Sequence, residues 1–158
     1  MKWNKLSRAV TIGGIAAIAG LVVFMVFLQV EDRRNNDFRK SIDKLAVDVI
    51  ALTGEYQAEE GKWVRGQYDN STMIGIIEKY DVRYQDIVNR AINLDTPDRY
   101  VAAKDFLIKA VETEQQGNMH LRNYIGSGSQ VEYQKSIELV SLSLQYSADF
   151  DAAIKAAG

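Results

Sequence analysis

Cysteine is absent from this chain of 158 residues, and histidine and proline occur once each, as His120 and Pro97. Without cysteine the chain can form no disulfide, thiolate nucleophile or thiolate metal site. A single histidine cannot build a multi-histidine metal centre, and Gly117 stands three residues before it where a Glu-x-x-His motif would have glutamate. No nucleophile, base and orienting group recur at a recognisable spacing. We therefore predict no catalytic residue, no cofactor, no resident metal and no enzyme activity.

An excess of positive charge is also missing, because 19 Lys and Arg residues stand against 21 Asp and Glu residues. A nucleic-acid surface needs clustered positive charge, so we expect no nucleic-acid partner. The scarcity of proline, with no Pro/Gly-rich tract, favours long uninterrupted helices.

One long apolar run, AVTIGGIAAIAGLVVFMVFL, extends from Ala9 to Leu28 without a charged residue. Twenty helical residues match a bilayer hydrocarbon core of roughly 30 Å. We predict a short tail at 1–8, a transmembrane anchor at 9–30 and a folded domain at 31–158.

A cleaved signal peptide is the competing interpretation, with Ala17-Ile18-Ala19 as the small-residue cleavage site. Cleavage there would leave Leu21–Val30 exposed and still hydrophobic, which favours a retained anchor. Glu31 and Asp32 flank the exit of the span, so we place the N-terminus in the cytoplasm and the domain outside the cell membrane.

Small residues form one stripe on the predicted span. Such a stripe lets helix backbones approach closely in lipid, although Gly and Ala are also common in membrane helices generally. It predicts contact with another membrane protein or with a second copy of the chain. Its residues are Gly13, Ala16, Ala17 and Gly20.

Beyond the span, apolar residues recur at alternating spacings of three and four, the period of amphipathic helices. We predict an all-α fold, an antiparallel up-down-up-down four-helix bundle that follows the N-terminal transmembrane helix. The clearest series is Met73, Ile77, Tyr80, Tyr84, Ile87, Ala91 and Leu94. The expected helices are 37–60, 72–94, 97–125 and 130–157.

Two sets of residues predict where helices begin. Asp95 and Thr96 before Pro97 suggest a cap followed by proline at the first helical position. Ser129 and Glu132 match the S-x-x-E capping box of the last helix.

A polar interruption on the third helix is the first candidate site. Glu114 and Gly117 occupy positions where their neighbours are apolar, and a buried carboxylate needs partners or a raised pKa. We predict a polar pocket that would take a small molecule, lined by Thr53, Tyr80, Tyr84, Glu114, Gly117 and Ser143. Alternatively, Glu114 is a satisfied structural group or faces solvent.

The segment between the first two helices holds two further candidates. Trp63 and Tyr68 are residue types enriched at protein interfaces, and they suit either partner binding or packing over the end of the bundle. Asn70-Ser71-Thr72 fits the glycosylation motif N-x-[ST], although Asn70 or Ser71 could simply cap the second helix.

Two resemblances extend these predictions. The layout of a basic tail, one span and an exported helical bundle is similar to the ligand-binding domains of chemoreceptors and histidine-kinase sensors, which implies ligand sensing. The stretches TPDRYVAAKDFLIKAVETE and SIELVSLSLQYSADFDAAIKAAG resemble small single-span subunits that accompany archaeal membrane enzymes such as ammonia monooxygenase. That second resemblance implies a non-catalytic accessory subunit of a membrane complex.

Overall fold

The computed structural model describes residues 33–158, and this part of the chain contains four α-helices and no β-strand. The all-α prediction is therefore confirmed for the described residues. A 3-10 turn at Asp98–Tyr100 precedes the third helix. The helices are α1 (Arg33–Val64), α2 (Asn70–Ile92), α3 (Val101–Ser127) and α4 (Gln130–Ala157).

The predicted membrane anchor lies outside the described residues. The same holds for the tail at 1–8 and for the stripe Gly13, Ala16, Ala17 and Gly20. Within 33–158, no helix is long and apolar enough to cross a bilayer.

The cap of helix α2 is neither Asn70 nor Ser71, the two residues considered from the sequence, but the residue before them. Asp69 is the N-cap, and its Oδ1 accepts from the backbone N–H of Thr72 at 2.7 Å and from the Ser71 hydroxyl at 2.9 Å. A carboxylate satisfies the free amides at a helix start and complements the helix dipole there.

The start of α3 differs from the expected cap at Asp95–Thr96. The Thr96 hydroxyl donates backwards to the Leu94 carbonyl at 2.9 Å, so it caps no amide of α3. Pro97 keeps an extended backbone (ψ 145°) and the chain turns through the 3-10 segment before α3 begins. The proline therefore ends the connection and is not the first residue of the α-helix.

Ser129 does hold the N-cap position of α4, but the reciprocal bonds of a capping box do not form. Glu132 instead turns to the end of α3, where its Oε2 lies 2.6 Å from His120 Nδ1 and 3.1 Å from Asn123 Nδ2. Gly128 follows the last residue of α3 as its C-cap and has the left-handed conformation (φ 73°). The Gly128 N–H donates to the Tyr124 carbonyl at 2.7 Å.

Each helix runs antiparallel to the next in the chain. Arg90 bonds to Asp48 at 2.6 Å and Arg83 to Glu55 at 2.6 Å, so α1 and α2 run in opposite directions. Gln115 bonds to Asp81 at 2.8 Å and Arg122 Nε to Glu78 at 3.0 Å, so α2 and α3 are also antiparallel. Ser143 bonds to Ala110 and Glu132 to His120, so α3 and α4 are antiparallel as well.

The most extensive contact between helices is that of α3 with α4, where small residues face each other. The Ser143 hydroxyl donates to the Ala110 carbonyl at 2.8 Å. A Cβ on Gly117 would lie only 3.0 Å from Val140 Cγ2 and 3.3 Å from the Ser136 carbonyl oxygen. Glycine at 117 is thus explained by helix packing.

The hydrophobic core runs along the inner faces of the bundle. Its largest fully buried side chains are Ile42, Met73, Ile77, Tyr84, Val88, Val111 and Phe150. Burial of such side chains from water supplies the main stabilising free energy, roughly 1.5–3 kcal/mol for each.

Candidate functional site

Three of the predicted pocket residues meet in the middle of the bundle. The Tyr84 hydroxyl donates to Glu114 Oε1 at 2.9 Å, and Thr53 Oγ1 lies 3.1 Å from Glu114 Oε2. Thr53 Oγ1 and Tyr84 Oη are themselves 3.3 Å apart. We call these three residues the core triad; it joins α1, α2 and α3 through side chains alone.

The triad lies in a region of low polarity. Glu114 retains a little exposed surface as a residue, but its carboxyl is surrounded by protein, and this burial raises its pKa. The hydrogen bonds from Thr53 and Tyr84 act in the opposite direction and are the smaller effect. Burial also raises the pKa of Tyr84 well above the ordinary value, and the neighbouring Glu114 adds to that rise.

Among residues 33–158, two buried side-chain polar atoms have no hydrogen-bond partner: Tyr56 Oη and Asn118 Nδ2. Tyr56 lies one helical turn from Thr53 on α1, and its ring packs edge-on against Tyr80 with centroids 5.5 Å apart. Burial raises its pKa well above the ordinary value, with further increases from Glu60 and then Glu114. The phenol is therefore close enough to both carboxyls to sense their charge.

The other predicted pocket residues do not join the triad. Tyr80 packs on Tyr56 and interacts with Arg83, whose guanidinium lies 5.0 Å from the ring centroid. Gly117 and Ser143 face the contact between α3 and α4. The six residues predicted to line one pocket are therefore divided among three places.

Trp63 belongs to the last turn of α1, since that helix extends to Val64, and Tyr68 follows in the connection. Both fold back on the chain. Trp63 Nε1 donates to Asn70 Oδ1 at 3.0 Å and Tyr68 Oη to Glu59 Oε2 at 2.7 Å. Both rings are partly buried, so the structure places them over the end of the bundle.

Asn70, the residue of the glycosylation motif, is exposed as the first residue of α2. Its side-chain amide is engaged, because Nδ2 donates to the Ile125 carbonyl at 3.3 Å while Oδ1 accepts from Trp63. A sugar would replace one of the two Nδ2 hydrogens and leave the other for the Ile125 carbonyl.

His120 pairs with one carboxylate, Glu132, whose pKa is lowered mainly by that hydrogen bond. Across residues 33–158, no group of three or more histidine, aspartate or glutamate side chains could hold a metal ion.

An open groove between α1 and α2 was not predicted from the sequence. It has a volume of about 450 Å³. Its apolar lining comes from Ala51, Leu52, Val82 and Ile87, and the pairs Arg83–Glu55 and Arg90–Asp48 cross it. Val82 leaves 69% of its surface exposed at the edge. We call this feature the α1–α2 groove.

An unusual sequence pattern marks the outer face of α1 next to the groove, and Ala51 belongs to both. Four residues there recur at spacings of four, three and four and are all small or apolar, where a solvent-facing stripe is normally polar. They are Val47, Ala51, Gly54 and Ala58, and each is exposed. The stronger apolar series on the inner face of the same helix conceals this second period.

No family model, no curated protein and no solved structure matches this chain.

Proposed function

We propose that this chain is a single-pass, membrane-anchored interaction protein, a non-catalytic accessory subunit that presents its helical bundle outside the cell membrane to another membrane protein. The observation that carries the proposal is the α1–α2 groove. Single exposed apolar residues are ordinary on protein surfaces, but clustered ones at a concave site favour protein contacts.

Two features of the groove itself support contact through it. Val82 and Ala51 line the same concave surface, above the apolar side chains of Leu52 and Ile87. The ion pairs across it are exposed and contribute little to the fold, yet they supply polar groups at the rim of an interface. The groove therefore combines an apolar centre with a charged border.

Gly54 adds an independent argument. Glycine inside a helix costs about 1 kcal/mol relative to alanine. A Cβ at Gly54 would meet nothing within 4 Å, so packing inside the described chain does not require the glycine. Close approach of a partner to the outer face of α1 would explain it.

The anchor suits the same role. The apolar run at 9–28 would hold the bundle beside other membrane proteins, and its stripe of Gly13, Ala16, Ala17 and Gly20 would pack against a partner span. With the N-terminus in the cytoplasm, α1 would continue outward from the membrane and carry the groove with it.

The test is a charge placed in the groove of the full-length chain. Val82→Arg puts a long cation where an apolar contact is expected, so recovery of the co-purifying complex from mild detergent should fall by about tenfold or more. Size-exclusion chromatography and mass spectrometry would measure the loss and identify the partner, including a second copy of this chain.

Val131→Arg is the matched control, because Val131 is 64% exposed but lies on α4, away from the groove. The same substitution there should leave the complex intact, and both variants should keep the parent's thermal stability. Equal losses in the two variants, or none in either, would remove the groove from the proposal.

A second candidate function is an extracytoplasmic ligand-binding or sensor-like bundle. The unpartnered Tyr56 Oη and Asn118 Nδ2 favour it, since buried donors without partners are often completed by a bound molecule. Native mass spectrometry of the protein extracted from its own membrane should then reveal a retained small molecule. If Tyr56→Phe no longer retains that molecule, the molecule binds at Tyr56. A measured mass equal to that of the chain alone would count against this candidate.

A further inference from the structure

The charges that cross the α1–α2 groove are divided by helix. Asp48 of α1 pairs with Arg90 of α2 at 2.6 Å, and Glu55 of α1 pairs with Arg83 of α2 at 2.6 Å. All four side chains are between 34% and 53% exposed, so they can also contact another molecule. Asp86 is an acidic residue on the α2 side, and Arg90 lies 3.6 Å from it and offsets its charge. At the two levels of the cross-groove pairs, α1 is therefore acidic and α2 is basic.

We propose that the α1–α2 groove packs against the same groove of a second copy of this chain, with a two-fold axis parallel to the helices. Such an axis places α1 of each copy opposite α2 of the other, at the same height along the bundle. Asp48 then faces Arg90 of the second copy, and Glu55 faces Arg83 of the second copy. Each carboxylate lies between two guanidinium groups, one from each copy. The inference rests on the proposed use of the groove as an interface and identifies the partner.

The direction of the two-fold axis follows from these charges. With the axis perpendicular to the helices, α1 would pack on α1 and α2 on α2, so that carboxylates would face carboxylates and guanidinium groups would face each other. Like charges opposed across an interface are unfavourable. The parallel arrangement also brings the start of α1 at Arg33 to the same end in both copies, so the predicted anchors at 9–30 can enter one membrane.

The apolar residues of the two copies are complementary in the same arrangement. Val82 on α2 is 69% exposed, and the pairing of Glu55 with Arg83 sets it level with the turn from Gly54 to Ala58 on α1. That turn of the second copy then lies opposite Val82. A Cβ at Gly54 would meet nothing within 4 Å, so the space beside this turn is open. The large exposed side chain of each copy thus packs on small residues of the other, as knobs pack into holes.

Disulfide cross-linking of the full-length chain tests this arrangement, because the sequence has no cysteine of its own. One chain carries Ala58→Cys, and a second chain with a different tag carries Val82→Cys. After co-expression and mild oxidation we expect a disulfide that joins the two tagged chains, since facing residues of packed helices come within disulfide reach. Neither chain expressed alone should form a linked dimer. Val131→Cys on α4, also an exposed valine, is the matched control and should not link to Ala58→Cys.

Charge reversal gives a second measurement on the full-length chain. Arg83→Glu with Arg90→Glu makes both sides of the groove acidic, so self-association measured by size-exclusion chromatography should weaken by about tenfold or more. Mixing that chain with one that carries Asp48→Lys and Glu55→Lys should restore a dimer that contains both. Self-association of the acidic variant equal to that of the parent chain would overturn the proposal.

The cross-linking result is separable from the test of the proposed function. Linkage within Val82→Cys alone would mean that α2 faces α2, which overturns the arrangement. If no disulfide forms but Val82→Arg still loses its complex, the groove binds a different protein; the second copy is then excluded and the proposed function stands. If Val82→Arg also keeps its complex, both proposals fail.

Discussion

Tyr56 and Tyr84 are two buried tyrosines that differ in the state of their hydroxyl groups. Tyr84 Oη donates to Glu114 at 2.9 Å, whereas Tyr56 Oη has no hydrogen-bond partner. A buried hydroxyl without a partner is costly, and a bonded one is stabilising mainly because its partner would otherwise be left unpaired. The same substitution should therefore have different effects at the two positions.

We expect Tyr84→Phe to lower the free energy of unfolding by about 1–3 kcal/mol, since it leaves a Glu114 oxygen unpaired. Tyr56→Phe should be neutral or should stabilise by about 1 kcal/mol. Denaturant unfolding of both full-length variants at one pH measures the difference. A comparable loss in Tyr56→Phe would mean that this hydroxyl is bonded after all, for example to an ordered water.

The sequence identified Glu114 and named both of its hydrogen-bond partners, Thr53 and Tyr84, but it did not separate them from the other residues predicted beside them. Glu114 is conspicuous because it interrupts an apolar series on α3. Its bonds reach Thr53 and Tyr84 on other helices, 61 and 30 residues away, and helical period alone does not determine how those helices rotate about their axes. Gly117 and Ser143 instead lie at the contact between α3 and α4.

The connection between α3 and α4 depends on one backbone conformation. Gly128 has a φ of 73°, in the left-handed region where a Cβ costs roughly 1–2 kcal/mol. Its N–H closes the end of α3 by donating to Tyr124. Gly126, two residues earlier, is helical, and a Cβ there would meet only Ile74 Cδ1 at 4.0 Å.

Alanine substitutions at these two glycines should therefore act in opposite directions. Gly128→Ala should destabilise the chain by about 1 kcal/mol or more. Gly126→Ala should stabilise it by up to about 1 kcal/mol through helix propensity. Thermal unfolding distinguishes the two outcomes; stabilisation by Gly128→Ala would mean that this turn can adopt another conformation.

Helix starts were harder to predict than the helices themselves. Periodic apolar residues identify a helix over many turns, whereas a cap depends on one side chain that has several competing partners. Thr96 bonds to a carbonyl behind it, and Glu132 pairs with His120 and Asn123 of α3. A local bond to the preceding chain thus replaces the predicted cap at Thr96, and a tertiary contact with α3 replaces it at Glu132.

The stability of the whole bundle depends on pH through carboxyl groups that are buried away from water. Burial raises the pKa of Glu60 from 4.5 to about 7 and raises that of Glu114 as well. Between pH 4.5 and about 7, the Glu60 carboxyl keeps its proton in the folded chain, whereas the same carboxyl has released it in the unfolded chain. The stabilising contribution of Glu60 is therefore complete below pH 4.5 and is lost as pH rises through about 7, and that of Glu114 is also lost as pH rises.

We expect the melting temperature of the full-length chain to fall as pH rises from 4.5 to about 7. Glu60→Gln should reduce that slope because the amide does not titrate, and Glu112→Gln, at an exposed position, should preserve it. Calorimetry over this pH range is the measurement. A slope unaffected by Glu60→Gln would assign the dependence to other carboxyls, such as Glu114.

The antiparallel order of the helices also bears on how the chain reaches its fold. The closest helix pairs are consecutive in the chain, α1 with α2, α2 with α3 and α3 with α4. Contacts between neighbours in sequence need only short loops to close, so little chain entropy is lost before packing begins. Low contact order of this kind favours folding in microseconds to milliseconds. Each helix that leaves the ribosome can dock on the one made before it.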